Sequence, residues 1–362
     1  MPDSFRQVYL NTAGCGLISE SLRQAGIAFY ERFEQDSSAA SEEWRALRYP
    51  EIKRNAARLM RTEAGNVAFL PNFSFGINAL VHSLKGNEKV LLYRNDFPSL
   101  YLPFVPNKFD ITWIDSEEGF RIDIEKIAAI IKAQKIDVVV LSHVQWQSGF
   151  KIDLAQLGAV CHDNNALLIV DATQSLGAID IDLSTLPVDV LMASNYKWMN
   201  AGFGTGLMYM HPAFLDRYPP MVGGNAGTRF HWDNNTLESI PSVTDYEPGS
   251  PDMFSLTIMS HAIEEKLARG LLQIEERNMQ LTQVLLDQLI ALPVRLTGDR
   301  DTLSRASIVC IDAAPGLHDF LALRNIITTC RHGLIRISIH MHNTESDIRA
   351  ITDAIGDWGK TQ

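Results

Sequence analysis

From about residue 67 to residue 211, short apolar runs alternate with stretches of helical spacing, and few architectures accommodate that pattern. The clearest runs cover residues 89–93, 111–114, 138–143, 167–171, 190–193 and 206–210, with helices expected over 76–84, 124–133 and 154–164. Strands that are apolar throughout, instead of alternating with polar residues, are covered on both faces. Such runs set between helices predict an α/β fold with a mainly parallel, doubly wound sheet.

At 362 residues the chain is too long for one ordinary core and suits two domains. Beyond Met221 the pattern changes. A Gly/Asn/Thr-rich loop (223–228) and a polar stretch lead to Tyr246-Glu247-Pro248-Gly249-Ser250-Pro251. A helical region then runs over 254–291, broken near Gly270, followed by strands at 307–311 and 334–340 and a helix over 344–356. This end reads as a smaller α+β domain. The expected division is a large domain, 15–250, and a small one, 251–362, with residues 1–14 folded against the small domain. Near the start, a strand-like Val8-Tyr9-Leu10 enters the glycine-containing loop Asn11-Thr12-Ala13-Gly14-Cys15-Gly16, and residues 43–61 read as helix.

Composition narrows the classes. A net charge of −11 argues against a nucleic-acid partner, which favours a basic face. No apolar stretch approaches bilayer length, so no membrane partner is expected. Met1-Pro2-Asp3-Ser4-Phe5-Arg6 lacks a signal-peptide pattern. Cys15, Cys161, Cys310 and Cys330 are scattered, with no zinc spacing, so no metal site is expected and a reducing cytoplasm is the expected compartment.

Chemistry in open α/β sheets gathers where parallel strands end. Two runs end at suggestive residues: 166–170 precedes Asp171-Ala172-Thr173-Gln174, and 189–193 precedes Ser194-Asn195-Tyr196-Lys197-Trp198. Alone, a lysine is usually a solvated charge and such an aspartate a helix cap. Together they suit pyridoxal 5'-phosphate, which needs a lysine for its Schiff base and a carboxylate facing its pyridinium nitrogen.

Other residues fit the same cofactor. Asn72-Phe73-Ser74-Phe75-Gly76 opens a helix, offering N–H groups and a hydroxyl to a phosphate, although Ser74 could simply be the helix cap. Phe97, in Asp96-Phe97-Pro98-Ser99, could stack on a flat ring. Gln174 could donate to the cofactor's phenolic oxygen. Gly202-Phe203-Gly204-Thr205-Gly206 resembles a dinucleotide fingerprint but precedes a strand where a helix is needed, so it reads as a turn beside Lys197. In Leu334-Ile335-Arg336-Ile337-Ser338-Ile339-His340, isoleucines on one face alternate with Arg336 on the other, and a guanidinium matches a carboxylate in bidentate fashion.

With these motifs in order, the chain resembles the class V aminotransferase and cysteine desulfurase superfamily of fold-type-I pyridoxal phosphate enzymes, from Tyr9-Leu10-Asn11-Thr12-Ala13-Gly14 to Arg336-Ile337-Ser338. Phe73-Ser74 and Phe97-Pro98-Ser99 look most like the kynureninase branch. The resemblance implies Lys197 as the Schiff-base lysine, Asp171 as pyridinium partner and Gln174 as partner of the phenolic oxygen. It also implies a phosphate held by Phe73, Ser74, Ser194 and Tyr196, and Phe97 stacked on the ring with Trp146 nearby. Arg336 becomes the substrate-carboxylate anchor. Ser250 matches a position that reaches the neighbouring subunit's phosphate, which implies a homodimer with shared sites.

Two departures stand out. Desulfurases usually stack a histidine where this chain has Phe97, and they carry a nucleophilic cysteine on a mobile loop. Here Cys330 lies six residues before Arg336, which leaves little loop. The expected activity is therefore transamination of a small-molecule amino acid, with a keto acid as second substrate. A desulfurase-, selenocysteine lyase- or kynureninase-like lyase is the alternative, and an amino-acid epimerase the third.

Overall fold

The computed structural model describes residues 7–117, 120–224 and 228–360. The hexapeptide at 1–6 and residues 225–227 of the Gly/Asn/Thr-rich loop lie outside them. After β1 (Val8–Tyr9) come the seven strands of a large sheet: β2 (Val67–Leu70), β3 (Lys89–Tyr93), β4 (Asp110–Ile114), β5 (Val138–Ser142), β6 (Leu167–Asp171), β7 (Val190–Ser194) and β8 (Gly206–Met210). They lie in the order β2-β8-β7-β6-β5-β3-β4. β8 runs antiparallel to both of its neighbours, and the remaining pairings are parallel. Every residue of β5 to β8 is buried, which explains why these runs carry no polar alternation. A strand covered on both faces reads the same in either direction, so the reversal at β8 left no mark on the pattern.

Helices cover the sheet on both sides, including Ile124–Gln134 and Leu154–Asp163 on one core cluster and Phe73–Ser83 on the other. The helix Glu20–Gln35 escaped the pattern analysis. Only Leu22 and Gly26 are buried in it, so its periodicity is weak. The helical run expected over 43–61 begins earlier, with Ser37–Glu43, and passes through a π-turn at Trp44–Arg48 into Tyr49–Met60.

The C-terminal part begins after a hairpin of β9 (Thr228–His231) and β10 (Thr236–Ser239). Its strands are β11 (Leu296–Thr297), β12 (Ile308–Asp312), β13 (Ile326–Ile327), β14 (Thr329–Arg331) and β15 (Leu334–Ser338). Four of them form an antiparallel sheet in the order β11-β12-β15-β14, while β13 pairs in parallel with β1. The expected break at Gly270 separates Met253–Arg269 from Leu271–Leu289. Gly270 has φ 83° and ψ 127°, a conformation open essentially to glycine alone.

Two cores result. Val8, Leu10, Leu285, Ile337 and Ile355 share the C-terminal core. Leu256, Met259 and Ile263 of the helix Met253–Arg269 join the larger one, so the proposed small domain lends its first helix to the large core. Among the described residues no helix is long and apolar enough to cross a membrane.

Candidate active site

The parallel strands deliver their chemistry at one edge. Asp171 ends β6, flanked in register by Ser142 of β5 and Met192 of β7, and Lys197 follows three residues after β7. A cavity of about 450 Å³ opens here, lined by Phe73, Ser74, Phe97, Trp146, Asp171, Gln174, Ser194, Tyr196 and Lys197 among others. Nine residues separated along the sequence thus converge on one hollow.

Its floor is a buried pair of opposite charges. Burial pushes the Asp171 carboxyl up, offset by bonds from Thr173 and the charge of Lys197 and reinforced by Asp96. Burial likewise pulls Lys197 down, opposed by Asp171 and helped by Arg336 and Arg331. Each group resists ionisation for want of solvent, so a further charged partner has energetic reason to bind between them.

A relay of short bonds fixes the surrounding backbone. Thr173 N–H donates to Asp171 Oδ1 at 2.8 Å, and Thr173 Oγ1 accepts from Ser194 N–H at 3.0 Å. Ser194 Oγ accepts in turn from Phe73 N–H at 2.9 Å, which leaves the Ser194 hydroxyl proton free for another acceptor. The helix Phe73–Ser83 is capped by Asn72, whose Oδ1 accepts from Phe75 N–H at 2.8 Å. Ser74 is therefore in the first turn, not at the cap, and its hydroxyl lines the cavity.

Asp96, passed over in the sequence, organises the aromatic wall. Fully buried, it accepts from Ser142 N–H (2.9 Å), Ser142 Oγ (2.5 Å), Gln145 Nε2 (3.2 Å) and Phe97 N–H (2.7 Å). The Phe97 ring lies 5.5 Å from Lys197 Nζ and meets Trp146 edge-on, with ring centroids 5.9 Å apart. Tyr196 stacks on Phe203 at 4.6 Å. The polar lid over Asp96 is invisible to hydropathy because each member looks like an ordinary turn residue.

The loop Asn11–Gly16 seals the far side. Gly16 N–H donates to Tyr196 O at 2.8 Å, and a Cβ on Gly16 would lie 2.0 Å from Lys197 O, so only glycine fits this approach. Gln174 Nε2 donates to Ala13 O (3.1 Å) while its Oε1 accepts from Trp198 Nε1 (2.7 Å). One amide N–H of Gln174 remains to face the cavity. Cys15 sits close enough to Lys197 for its charge to matter, which the scattered cysteine count gave no reason to expect.

Arg336 and Ser250 stand outside the cavity lining. Arg336 is buried on β15, where Nη1 donates to Trp146 O at 2.8 Å and Nε has no partner among the described residues. Its guanidinium is thus anchored at one end with donors to spare. Ser250 is exposed and meets Arg45 Nη2 at 3.4 Å. Cys330 is exposed on β14, opposite Ile335. Directly paired residues share a sheet face, so Cys330 lies on the face away from Arg336.

The donor set fits pyridoxal phosphate. A buried carboxylate, a buried lysine with its pKa pulled down, an aromatic ring beside it, and hydroxyls at a helix start occupy one hollow. Among the described residues no group of His, Cys, Asp or Glu is placed to hold a metal ion.

The family model for aminotransferase class V matches residues 8–351. A probable cysteine desulfurase of Pyrococcus abyssi is 22% identical over 87% of this chain and 84% of its own length. An uncharacterised aminotransferase of Bacillus subtilis is 22% identical over 98% of this chain and 97% of its own. Among solved structures, a cystine C–S lyase in complex with its product cysteine persulfide superposes with a TM-score of 0.87 at 20% identity, covering 98% of this chain and 99% of that one.

Proposed function

The chain belongs to the class V aminotransferase family, a pyridoxal phosphate-dependent group acting on amino acids, and on that premise we propose that it is an aminotransferase for a small amino acid. The observation that carries transamination is the placement of Cys330. It stands on a tight hairpin, on the sheet face opposite Arg336, so it has neither the loop nor the direction to deliver a thiol to substrate. The ring-side residue, Phe97, carries no proton for a leaving group. A lyase is the second reading, favoured by the likeness to a desulfurase and a C–S lyase.

When bound, pyridoxal phosphate supplies an electron-withdrawing ring that accepts the electrons released as a Cα–H bond breaks. The reading assigns each residue of the chain a role. Asp171 would keep the ring nitrogen of the cofactor protonated. Phe97 and Trp146 wall the ring, and Gln174 donates to the phenolic oxygen. Ser74, Ser194 and Tyr196 would hold the phosphate, with Phe73 N–H fixing the Ser194 hydroxyl, and Ser250 of a second copy would join them across a twofold interface. Lys197 Nζ would hold the cofactor covalently and would serve as the base that moves the substrate's Cα proton. Its lowered pKa keeps a fraction of the amine neutral for that task. Arg336 receives the substrate carboxylate with its spare donors.

The test is a panel of amino acids mixed with the loaded protein. Transamination yields one keto acid per site and the pyridoxamine form of the cofactor, and Cys330→Ala retains that yield. Rapid persulfide formation that vanishes in Cys330→Ala would replace this reading with the lyase.

A further inference from the structure

We propose that the site selects amino acids whose side chain carries a second negative charge, with Arg331 as the anchor for that distal group. The inference rests on the reading of Arg336 as the anchor of the α-carboxylate.

β14 and β15 are joined by His332 and Gly333, whose φ values of 50° and 75° make a tight two-residue hairpin turn. Thr329 pairs with Arg336 and Arg331 with Leu334. Side chains alternate along a strand and directly paired residues share a face, so Arg331 and Arg336 lie on one face as diagonal neighbours, about 7–8 Å apart. That face is turned toward Trp146, which lines the cofactor cavity, and its Leu334 lines an adjoining cleft. Arg336 is tied to Trp146 O, and the Trp146 ring lies 5.9 Å from Phe97 on one side and 6.0 Å from His332, at the hairpin tip, on the other. The tip therefore stands over the ring wall, with Lys197 Nζ 5.5 Å beyond Phe97.

Arg331 is exposed and has no ion-pair partner among the described residues. An exposed arginine is ordinarily a solvated charge. This one acts electrostatically on both Lys197 and Tyr196, so its guanidinium is near the site. A larger cleft of about 1210 Å³ adjoins the cavity at Trp146 and offers Arg121, likewise without an ion-pair partner among the described residues. Arg94 and Arg295 in the same cleft are already held by Asp115 (2.7 Å) and Asp312 (3.5 Å). Three carboxylates line it too: Asp96, bonded to Ser142, Gln145 and Phe97, Asp312, beside Arg295, and Asp299. A chain of net charge −11 thus presents free guanidinium groups at the mouth of its site, which draws an anionic substrate inward. Two long arginine side chains rooted about 7–8 Å apart suit two carboxylates separated by a few carbons, as in a four- or five-carbon dicarboxylic amino acid.

The experiment uses the cofactor-loaded protein and follows the bound cofactor's absorbance as L-aspartate, L-glutamate, L-asparagine or L-glutamine is added. The acids should bind at least about tenfold more tightly than their amides, the scale of one charge-assisted contact. Arg331→Gln should erase that preference while leaving the amides within about twofold, and Arg336→Gln should weaken all four. As a readout independent of turnover, succinate should raise the wild-type Tm more than butyrate does, and Arg331→Gln should abolish the difference. Equal binding of acids and amides by the wild type, or a preference that survives Arg331→Gln, overturns the proposal while leaving the amino-acid reading intact. If none of a full set of amino acids perturbs the wild-type cofactor, the amino-acid reading falls and this proposal falls with it.

Discussion

At the scale of single residues, the site depends on two groups that burial makes reluctant to ionise. Lys197 and Asp171 are nearly sealed from solvent, and each is the other's principal counter-charge. Lys197→Ala should abolish covalent cofactor attachment while leaving the circular dichroism spectrum unchanged. Borohydride reduction of the wild type followed by peptide mass analysis should mark Lys197, and a mark on any other lysine would contradict the assignment. Asp171→Asn should keep attachment but slow Cα–H cleavage by at least about a hundredfold, the usual loss for one preorganised electrostatic partner. Stopped-flow single turnover measures this, and a near-normal rate would remove Asp171 from the role. These two residues were legible in the sequence because each ends an apolar run. Asp96 and Arg331 were not. Their importance lies in what faces them, and neither partner is near in sequence: Ser142 is 46 residues from Asp96, and the loop of Lys197 is far from β14.

At the scale of elements, hydrophobic periodicity found six of the seven strands of the large sheet, all but the four-residue β2, since buried runs are the strongest signal a chain carries. It missed the helix Glu20–Gln35, whose outward faces are polar, and the direction of β8, which periodicity cannot encode. The glycine break was readable because a helix pattern tolerates glycine poorly. Gly270→Ala tests its structural reason: at φ 83° an alanine is strained, and the substitution should cost about 1–3 kcal/mol in urea unfolding. An unchanged midpoint would show that the two helices reorganise around the junction without cost.

At the scale of the whole molecule, the largest core and the C-terminal core meet at a buried polar cluster. Lys266 Nζ lies 2.8 Å from Asn200 Oδ1 and 2.8 Å from His340 Nε2, and His340 also reaches Trp198 O at 2.9 Å. Burial pulls Lys266 down to about 7, with Glu265 opposing and Arg269 assisting, and burial also holds His340 well below 6.5. The unfolded chain therefore binds more protons than the folded one, for Lys266 between about pH 7 and its ordinary 10.5, and for His340 below 6.5. Stability should rise with pH across the first window and fall as the medium is acidified through the second. Lys266→Met should flatten the alkaline slope in urea titrations at pH 7.5 to 9.5, the window set by those two values. A slope that persists would assign it to other groups. The proposed twofold assembly, in which Ser250 serves a neighbouring site, predicts a dimer by light scattering and weaker cofactor retention on dilution to monomers. A monomer with undiminished affinity would argue against it.

The loop that seals the cavity carries one more consequence, this time for biosynthesis. Asn11 bridges Ser338, Ala13 N–H donates to Ser338 Oγ across 325 residues, and β1 lies beside β13. A segment near residue 10 is thus held in place by one more than 300 residues further along the chain. Contacts of such separation form late, because their loop must close first. A nascent chain that has not yet delivered β13 and β15 has its lysine and aspartate already made but no finished wall around them. Completion of the pocket accordingly waits on synthesis of β13 and β15, and a polypeptide stalled short of residue 326 has no means of closing it.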